Sequence, residues 1–400
     1  NERIKQHPPN VGLHAAGTPG LVKGLQAAGI LPTRNFRSGV FEGADKLDWD
    51  AYRETIFHSA GTCWRCTVAC KRRVSLEDPK YPLDPKWGGP EYETLGALGS
   101  LVANDNLPAL ARGNQLCNLY GMDTISVGNA IAFTMECFEK GILTAEDTGG
   151  REVTWGDADA MLWLIEEIVN LRGFGKILAQ GVKAAAEIIG RGSERYAFHI
   201  KGNDLPLHDG RGKTGMAMGY ALSSTGADHV ETPHDVAFAG DAVKQLEALG
   251  ILEPVKPLVT DADKVRYFVL GQKAWGINNL LSICNFTSVP IHAMTFHNLV
   301  ESVRAITGWD TSLFDILKAV ERSMVMSRIF NVREGLGPED DRIIRRWHEP
   351  MPEGPLKGHK IDETEFKEAI RLYYKISGWD EQGRPTPAKL TEINLEWLAA

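Results

Sequence analysis

Three cysteines, Cys63, Cys66 and Cys70, stand inside Thr62-Cys-Trp-Arg-Cys-Thr-Val-Ala-Cys-Lys-Arg-Arg73, and thiols gathered this closely point to a bound metal. Their offsets of i, i+3 and i+7 suit a helix of about 3.6 residues per turn, so one helical face, or a tight turn leading into it, can present all three sulfurs together. A fourth ligand must come from elsewhere. Zinc is one reading of the Cys63-x-x-Cys66 half-site, but the usual second close pair is absent. Three clustered cysteines plus a remote one recur around iron-sulfur clusters, and spacing favours that reading modestly. Cys284, in Asn278-Asn-Leu-Leu-Ser-Ile-Cys-Asn-Phe286, is the best candidate for the remote ligand because its stretch reads as a loop; a buried free cysteine is the alternative. Cys117 and Cys137 fall in apolar helical segments and read as small hydrophobes.

The elements that must position these groups are mostly helical. Met161, Leu162, Leu164, Ile165, Ile168 and Leu171 recur at helical spacing from Asp157 onward, and Val182 to Ile189 continues in the same style. A further helix is expected from about Asp123 to Lys140, and an apolar stripe of Phe366, Ala369, Ile370, Tyr373 and Tyr374 ends before Gly378. Strand-like alternation is scarce. Long Gly- and Pro-rich loops at 35–43, 79–90, 203–215 and 349–358 are where sites are expected.

A chain of 400 residues with 43% hydrophobic content suits two domains, with a boundary expected near residue 195. The first, 1–195, carries the three-cysteine motif, and the second, 196–400, carries Cys284. A net charge of −8 argues against nucleic acid as a partner. Six cysteines are too few and too uneven for a disulfide framework, which fits a reducing cytoplasm, and no apolar run is long enough to cross a membrane. Asn1 in place of an initiating Met is read as leaving residues upstream.

Several segments in shared order resemble the aldehyde ferredoxin oxidoreductase family: Gly29-Ile-Leu-Pro-Thr-Arg-Asn-Phe36, the cysteine run, Gly89-Pro-Glu-Tyr-Glu-Thr94, Gly121-Met-Asp-Thr-Ile-Ser126 and Leu205-Pro-Leu-His-Asp-Gly-Arg211. Thr225-Gly-Ala-Asp-His229, Phe330-Asn-Val-Arg-Glu-Gly335 and Gly378-Trp-Asp380 follow. The resemblance implies a mainly α fold of two helical domains matching the family's C-terminal domains, without its N-terminal β-rich cofactor domain. It further implies a tungsten or molybdenum bis-pterin, magnesium bridging the pterin phosphates, and a 4Fe-4S cluster on Cys63, Cys66, Cys70 and Cys284. In this family two motifs of the form Asp-x-x-Gly-Leu-(Asp or Cys) accept hydrogen bonds from the pterin amines. They map onto Asn118, Gly121, Met122 and Asp123, and onto Asn279, Ser282, Ile283 and Cys284, with Asn in place of each leading carboxylate.

A glutamate and a histidine near the metal map onto Glu93 and His229, both able to move protons near neutral pH, with Glu91 competing for the first role. Without the resemblance, Glu93 reads as a solvated carboxylate at a helix start and His229 as a structural histidine. His208, Asp209 and Arg211 read equally as a loop locked by an ion pair or as a cofactor contact. Lys71, Arg72 and Arg73 read as a solvated basic helix end, or as charge that offsets an anionic cluster or docks an acidic ferredoxin. The implied reaction is oxidation of an aldehyde to a carboxylic acid, with electrons leaving to ferredoxin or a small ferredoxin-like subunit; homo-oligomers are compatible with it. The rivals are the tungsten subunit of class II benzoyl-CoA reductase and a non-catalytic iron-sulfur subunit. The first is disfavoured because no cysteine precedes Cys63.

Overall fold

A computed structural model of the chain describes residues 1–398 and is dominated by helices, with two small antiparallel strand pairs. The chain forms two compact units. The first comprises Gly12–Gly212 and Glu349–Lys360, and the second comprises Asn1–Val11, Lys213–His348 and the residues from Ile361 onward. The units divide at Gly212/Lys213, later than the compositional shift at 195. The reason is a buried ion pair: the Arg211 guanidinium bonds both carboxylate oxygens of Asp209 (3.0 and 2.7 Å) and the carbonyl of Phe36 (2.6 Å), which ties this segment into the first unit. The locked-loop reading of Asp209 and Arg211 is therefore the one observed.

In the first unit, α1 (Trp49–Thr55) leads into a hairpin of β1 (Phe57–Gly61) and β2 (Lys71–Val74), in register Phe57↔Val74 and Gly61↔Lys71. Then come α2 (Tyr92–Ala97), α3 (Leu107–Tyr120), α4 (Thr124–Glu139), α5 (Ala158–Val169), α6 (Gly181–Ile189) and the short pair β3 (His199–Ile200) and β4 (Asn203–Asp204). Four of these helices start where a side chain can accept an orphan amide. Asp48, Asn106, Asp123 and Asp157 cap α1, α3, α4 and α5 through the N–H three residues on, at 3.0, 3.1, 2.8 and 2.9 Å. Each such cap stabilises its helix by about 1 kcal/mol. The expected stripe on α5 is buried through Met161, Leu164, Ile165 and Ile168, whereas Leu171 lies past the helix end and is exposed.

The second unit is built on α7 (Thr214–Leu222), α8 (Ala262–Leu280), α9 (Phe296–Thr307), α10 (Leu313–Arg333) and α11 (Glu363–Ser377). Its core gathers Phe238, Leu246, Ile277, Leu299 and Val320. A buried carboxylate joins two of these helices. Asp235 accepts the Gly215 and Met216 amides at the start of α7 (3.1 and 3.0 Å) and Lys264 Nζ of α8 (2.5 Å), so neither charge is left uncompensated. The α11 stripe is buried as expected and stops at Gly378 with φ 74°. No helix among the described residues is long and apolar enough to cross a membrane.

Helix α2, which carries Glu93, is seated against α4 by close approach at Gly128. A Cβ there would stand 2.5 Å from the Ala97 carbonyl oxygen. Gly128→Val is expected to cost roughly 1–3 kcal/mol by forcing α2 and α4 apart; an unchanged denaturant midpoint would show that the contact does not constrain α2.

Candidate metal and cofactor site

All three clustered cysteines sit on the loop that joins β1 to β2, not on the helical face that their offsets allowed. Left-handed backbone at Arg65 (φ 55°) and Ala69 (φ 50°) breaks any helix there, and the flanking strands pair instead. A tight turn does form, but it leads into β2 instead of a helix. The Cys66 amide donates to the Cys63 carbonyl at 3.0 Å, and Thr62 Oγ1 donates to the Cys66 carbonyl at 2.7 Å. Cys63 is exposed, and Cys66 and Cys70 are half-buried.

Arg72 holds this loop from beneath, so it is not a solvated basic end. It is buried, and its guanidinium donates to the carbonyls of Ala69 (3.1 Å), Lys71 (2.7 Å), Leu13 (3.2 Å) and His14 (2.6 Å) while lying over the Trp49 ring at 5.4 Å. Burial lowers its pKa, and the nearby Tyr52, Cys70 and Glu91 oppose that shift. Gly17 (φ 67°) lets the 13–20 segment press on the loop, since a Cβ there would lie 2.6 Å from the Cys70 carbonyl. By contrast, burial pushes the Cys117 and Cys137 thiols up to about 12, which keeps them protonated small hydrophobes.

The two mapped pterin motifs share one backbone design, although they belong to different units. In the first unit, α3 ends at left-handed Gly121 (φ 70°), and the Met122 amide reaches back to the Cys117 carbonyl at 2.9 Å. In the second, left-handed Ser282 (φ 54°) follows α8, and the Ile283 amide reaches back to the Asn278 carbonyl at 2.8 Å. The next residue, Asp123 or Cys284, is extended; Asp123 caps α4, whereas Cys284 opens a three-residue 3-10 turn without a side-chain cap. The leading residues also match. Asn118 Nδ2 donates to the Trp87 carbonyl (2.8 Å) and Asn279 Nδ2 to the Val230 carbonyl (3.3 Å). A carbonyl can only accept, so each amide is oriented with Oδ1 as its available acceptor. Gly121 thus closes α3.

Beside the first motif lies a cavity of about 440 Å³, lined by Met122, Asp123, Ser126, Ile168 and Leu178 among others. Asp204 of β4 lies behind Ser126. Burial pushes its carboxyl up to about 6 against hydrogen bonds from Ser126 and the Val182 amide, and the Asp123 charge adds to the rise.

The two glutamates of Gly89-Pro-Glu-Tyr-Glu face different partners. Glu91 precedes α2, accepts from Thr18 Oγ1 and lies near Arg72 and Lys71; burial raises its pKa against those three. Glu93 Oε2 accepts the Leu207 amide at 2.7 Å, and its Oε1 is 3.1 Å from His208 Nε2, whose ring packs on Tyr92 at 5.2 Å. Glu93 is therefore a paired, mostly buried group and not a solvated one. His208 was missed as its partner from sequence; the only signal was its place in Leu205-Pro-Leu-His-Asp-Gly-Arg211. His229, in the second unit, stands edge-on to His234 (6.1 Å), and its carbonyl accepts from His234 Nε2 at 3.1 Å.

The raised Asp204 pKa makes a pH test of this corner. An exposed Asp titrates near about 4, so the folded state keeps a proton that the unfolded chain has lost, and stability falls as pH rises through roughly 4 to 6. Asp204→Asn lacks this loss. Its melting temperature relative to wild type is expected to climb across that window, and parallel pH curves would refute the burial account.

Three comparisons with known proteins bear on these features. The family model for aldehyde ferredoxin oxidoreductase, domains 2 and 3, matches residues 1–395. The tungsten-containing aldehyde ferredoxin oxidoreductase of Pyrococcus abyssi is 34% identical over 401 residues, covering 99% of this chain and 62% of that protein. The protein of the same description from Thermococcus kodakarensis is 33% identical over 96% of this chain and 60% of its own length. An aliphatic sulfonate oxidoreductase, WOR-like subunit, of Pyrococcus furiosus is 28% identical over 76% of this chain and 46% of its own. The chain thus spans about three-fifths of the aldehyde-oxidising relatives. Among solved structures, the active site complex BamBC of benzoyl coenzyme A reductase with 1,5-dienoyl-CoA shares the fold at TM-score 0.74 and 20% identity, over 96% of this chain and 60% of that one.

Proposed function

The chain belongs to the aldehyde ferredoxin oxidoreductase family, whose domains 2 and 3 it matches, and from that membership we propose that it serves a tungsten oxidoreductase which oxidises an aldehyde to a carboxylic acid. The observation that carries the reading is the Arg72-braced loop with Cys63, Cys66 and Cys70 at its edge. Three thiols on a short loop, with no Asp or Glu between Thr55 and Leu76, are a donor set suited to an iron-sulfur cluster. Cys284, exposed and at the start of a helical turn, is the fourth thiolate of the family pattern.

When bound, the pterin-held metal supplies the two-electron redox chemistry of RCHO + H2O → RCOOH + 2H⁺ + 2e⁻. The chain's own residues would hold the cofactor and take up protons. Asn118 Oδ1 and Asn279 Oδ1 would accept hydrogen bonds from the pterin amines, and Asp123 would add the charge that the two Asn residues lack. The Leu207 amide fixes Glu93 Oε2, which leaves Oε1 to share a proton with His208 Nε2 and to take one as water adds to the aldehyde. His229 is the second proton-handling group. The acceptor is a ferredoxin or ferredoxin-like subunit, in a reducing compartment such as the cytoplasm.

Elemental analysis of the anaerobic full-length protein tests the cofactors. About four irons and one tungsten or molybdenum per chain are expected. Zinc without iron would overturn the reading, and iron alone would favour an electron-transfer subunit. Cys66→Ser and Cys284→Ser are expected to lose cluster iron together with viologen-linked aldehyde oxidation. Glu93→Gln is expected to keep both metals while kcat falls by roughly 10²-fold or more; full activity in that variant would remove Glu93 from the mechanism.

A further inference from the structure

The hairpin that carries the cysteines has features that ligation does not use. Trp64, between Cys63 and Cys66, is 87% exposed, and the Arg65 guanidinium lies over its ring at 4.9 Å. Along β2, exposed Lys71 and Arg73 alternate with buried Arg72 and Val74, so the first two share the outward face. Arg65, Lys71 and Arg73 form no ion pair among the described residues. No acidic residue occurs between Thr55 and Leu76, although the whole chain carries a net charge of −8.

A cationic face that makes no ion pair, beside an exposed indole, has the composition of an interface. Trp and Arg are the residue types that most often anchor binding, and unpaired surface cations steer an oppositely charged partner. We propose that the tip of this hairpin is the docking surface for a small acidic one-electron carrier protein, with Trp64 as anchor and Arg65, Lys71 and Arg73 as the cationic rim. The inference rests on the cluster reading above, because the electron is drawn from beneath the same loop. The carrier would take one of the two electrons released per aldehyde at each encounter, and is reduced by one electron as the enzyme gives it up. No atom is exchanged, and one aldehyde turnover requires two encounters.

The test uses the full-length holoenzyme with a purified acidic 4Fe-4S ferredoxin and, separately, a viologen dye. Wild-type ferredoxin reduction is expected to slow steeply with added salt, because screening weakens the long-range attraction. Lys71→Glu with Arg73→Glu is expected to raise KM for ferredoxin at least tenfold and to flatten the salt dependence, while iron content and dye-linked kcat stay as in wild type. Trp64→Ala is expected to raise KM for ferredoxin without changing its salt dependence. Unchanged ferredoxin kinetics in both variants, with iron and dye activity intact, would overturn the docking surface alone. Absence of iron in the wild-type holoenzyme would overturn the cluster reading, and the docking proposal with it.

Discussion

The first unit's cysteine loop depends on one buried cation. Arg72 gives up water for four backbone carbonyls and the face of an indole, and a guanidinium with a fixed fork of donors is the side chain able to satisfy them together. Two of those carbonyls belong to the hairpin and two to residues 13 and 14, so one group stitches segments far apart in sequence. A lysine in its place would present a point charge and leave carbonyls without a donor. The same positive charge stands close to Cys70, where on the proposed ligation it would offset the negative charge of the thiolates. Structural brace and electrostatic counterweight are one residue.

A second economy appears in the paired turns at 118–123 and 279–284. Each stops a long helix with a left-handed residue, closes it with the same backward hydrogen bond and starts a new helical turn one residue later. Glycine takes the left-handed position at 121 at little cost, whereas Ser282 takes it with a side chain, a conformation uncommon outside glycine and asparagine. The amides of Asn118 and Asn279 are turned by carbonyls of neighbouring segments and so are oriented before any ligand arrives.

Much of this was legible in the residues. The helices around α4, α5, α6 and α11 announced themselves through stripes bounded by Asp123, Asp157 and Gly378, because caps and periodicity are local properties. The cysteine hairpin was not legible, since offsets of three and four residues fit a helical face and a folded loop alike. Left-handed backbone at Arg65 and Ala69 decides between them, and neither residue advertises it. Arg72 looked solvated because its acceptors are backbone groups, which sequence does not distinguish. The pairing of Glu93 with His208 was hidden for a related reason: the two lie on segments brought together only by tertiary packing. The shift in composition at 195 precedes the unit division, which falls beyond the Asp209–Arg211 lock.

The repeated corner also bears on how charge is held. The same backbone presents a carboxylate at Asp123 and a thiol at Cys284. A carboxylate fixes charge in place, whereas a thiolate delocalises it onto bound iron. On the proposed ligation, one corner is an insulated terminal and the other a conducting one. A single side-chain difference on a duplicated turn then separates a corner that only grips from one that would also conduct.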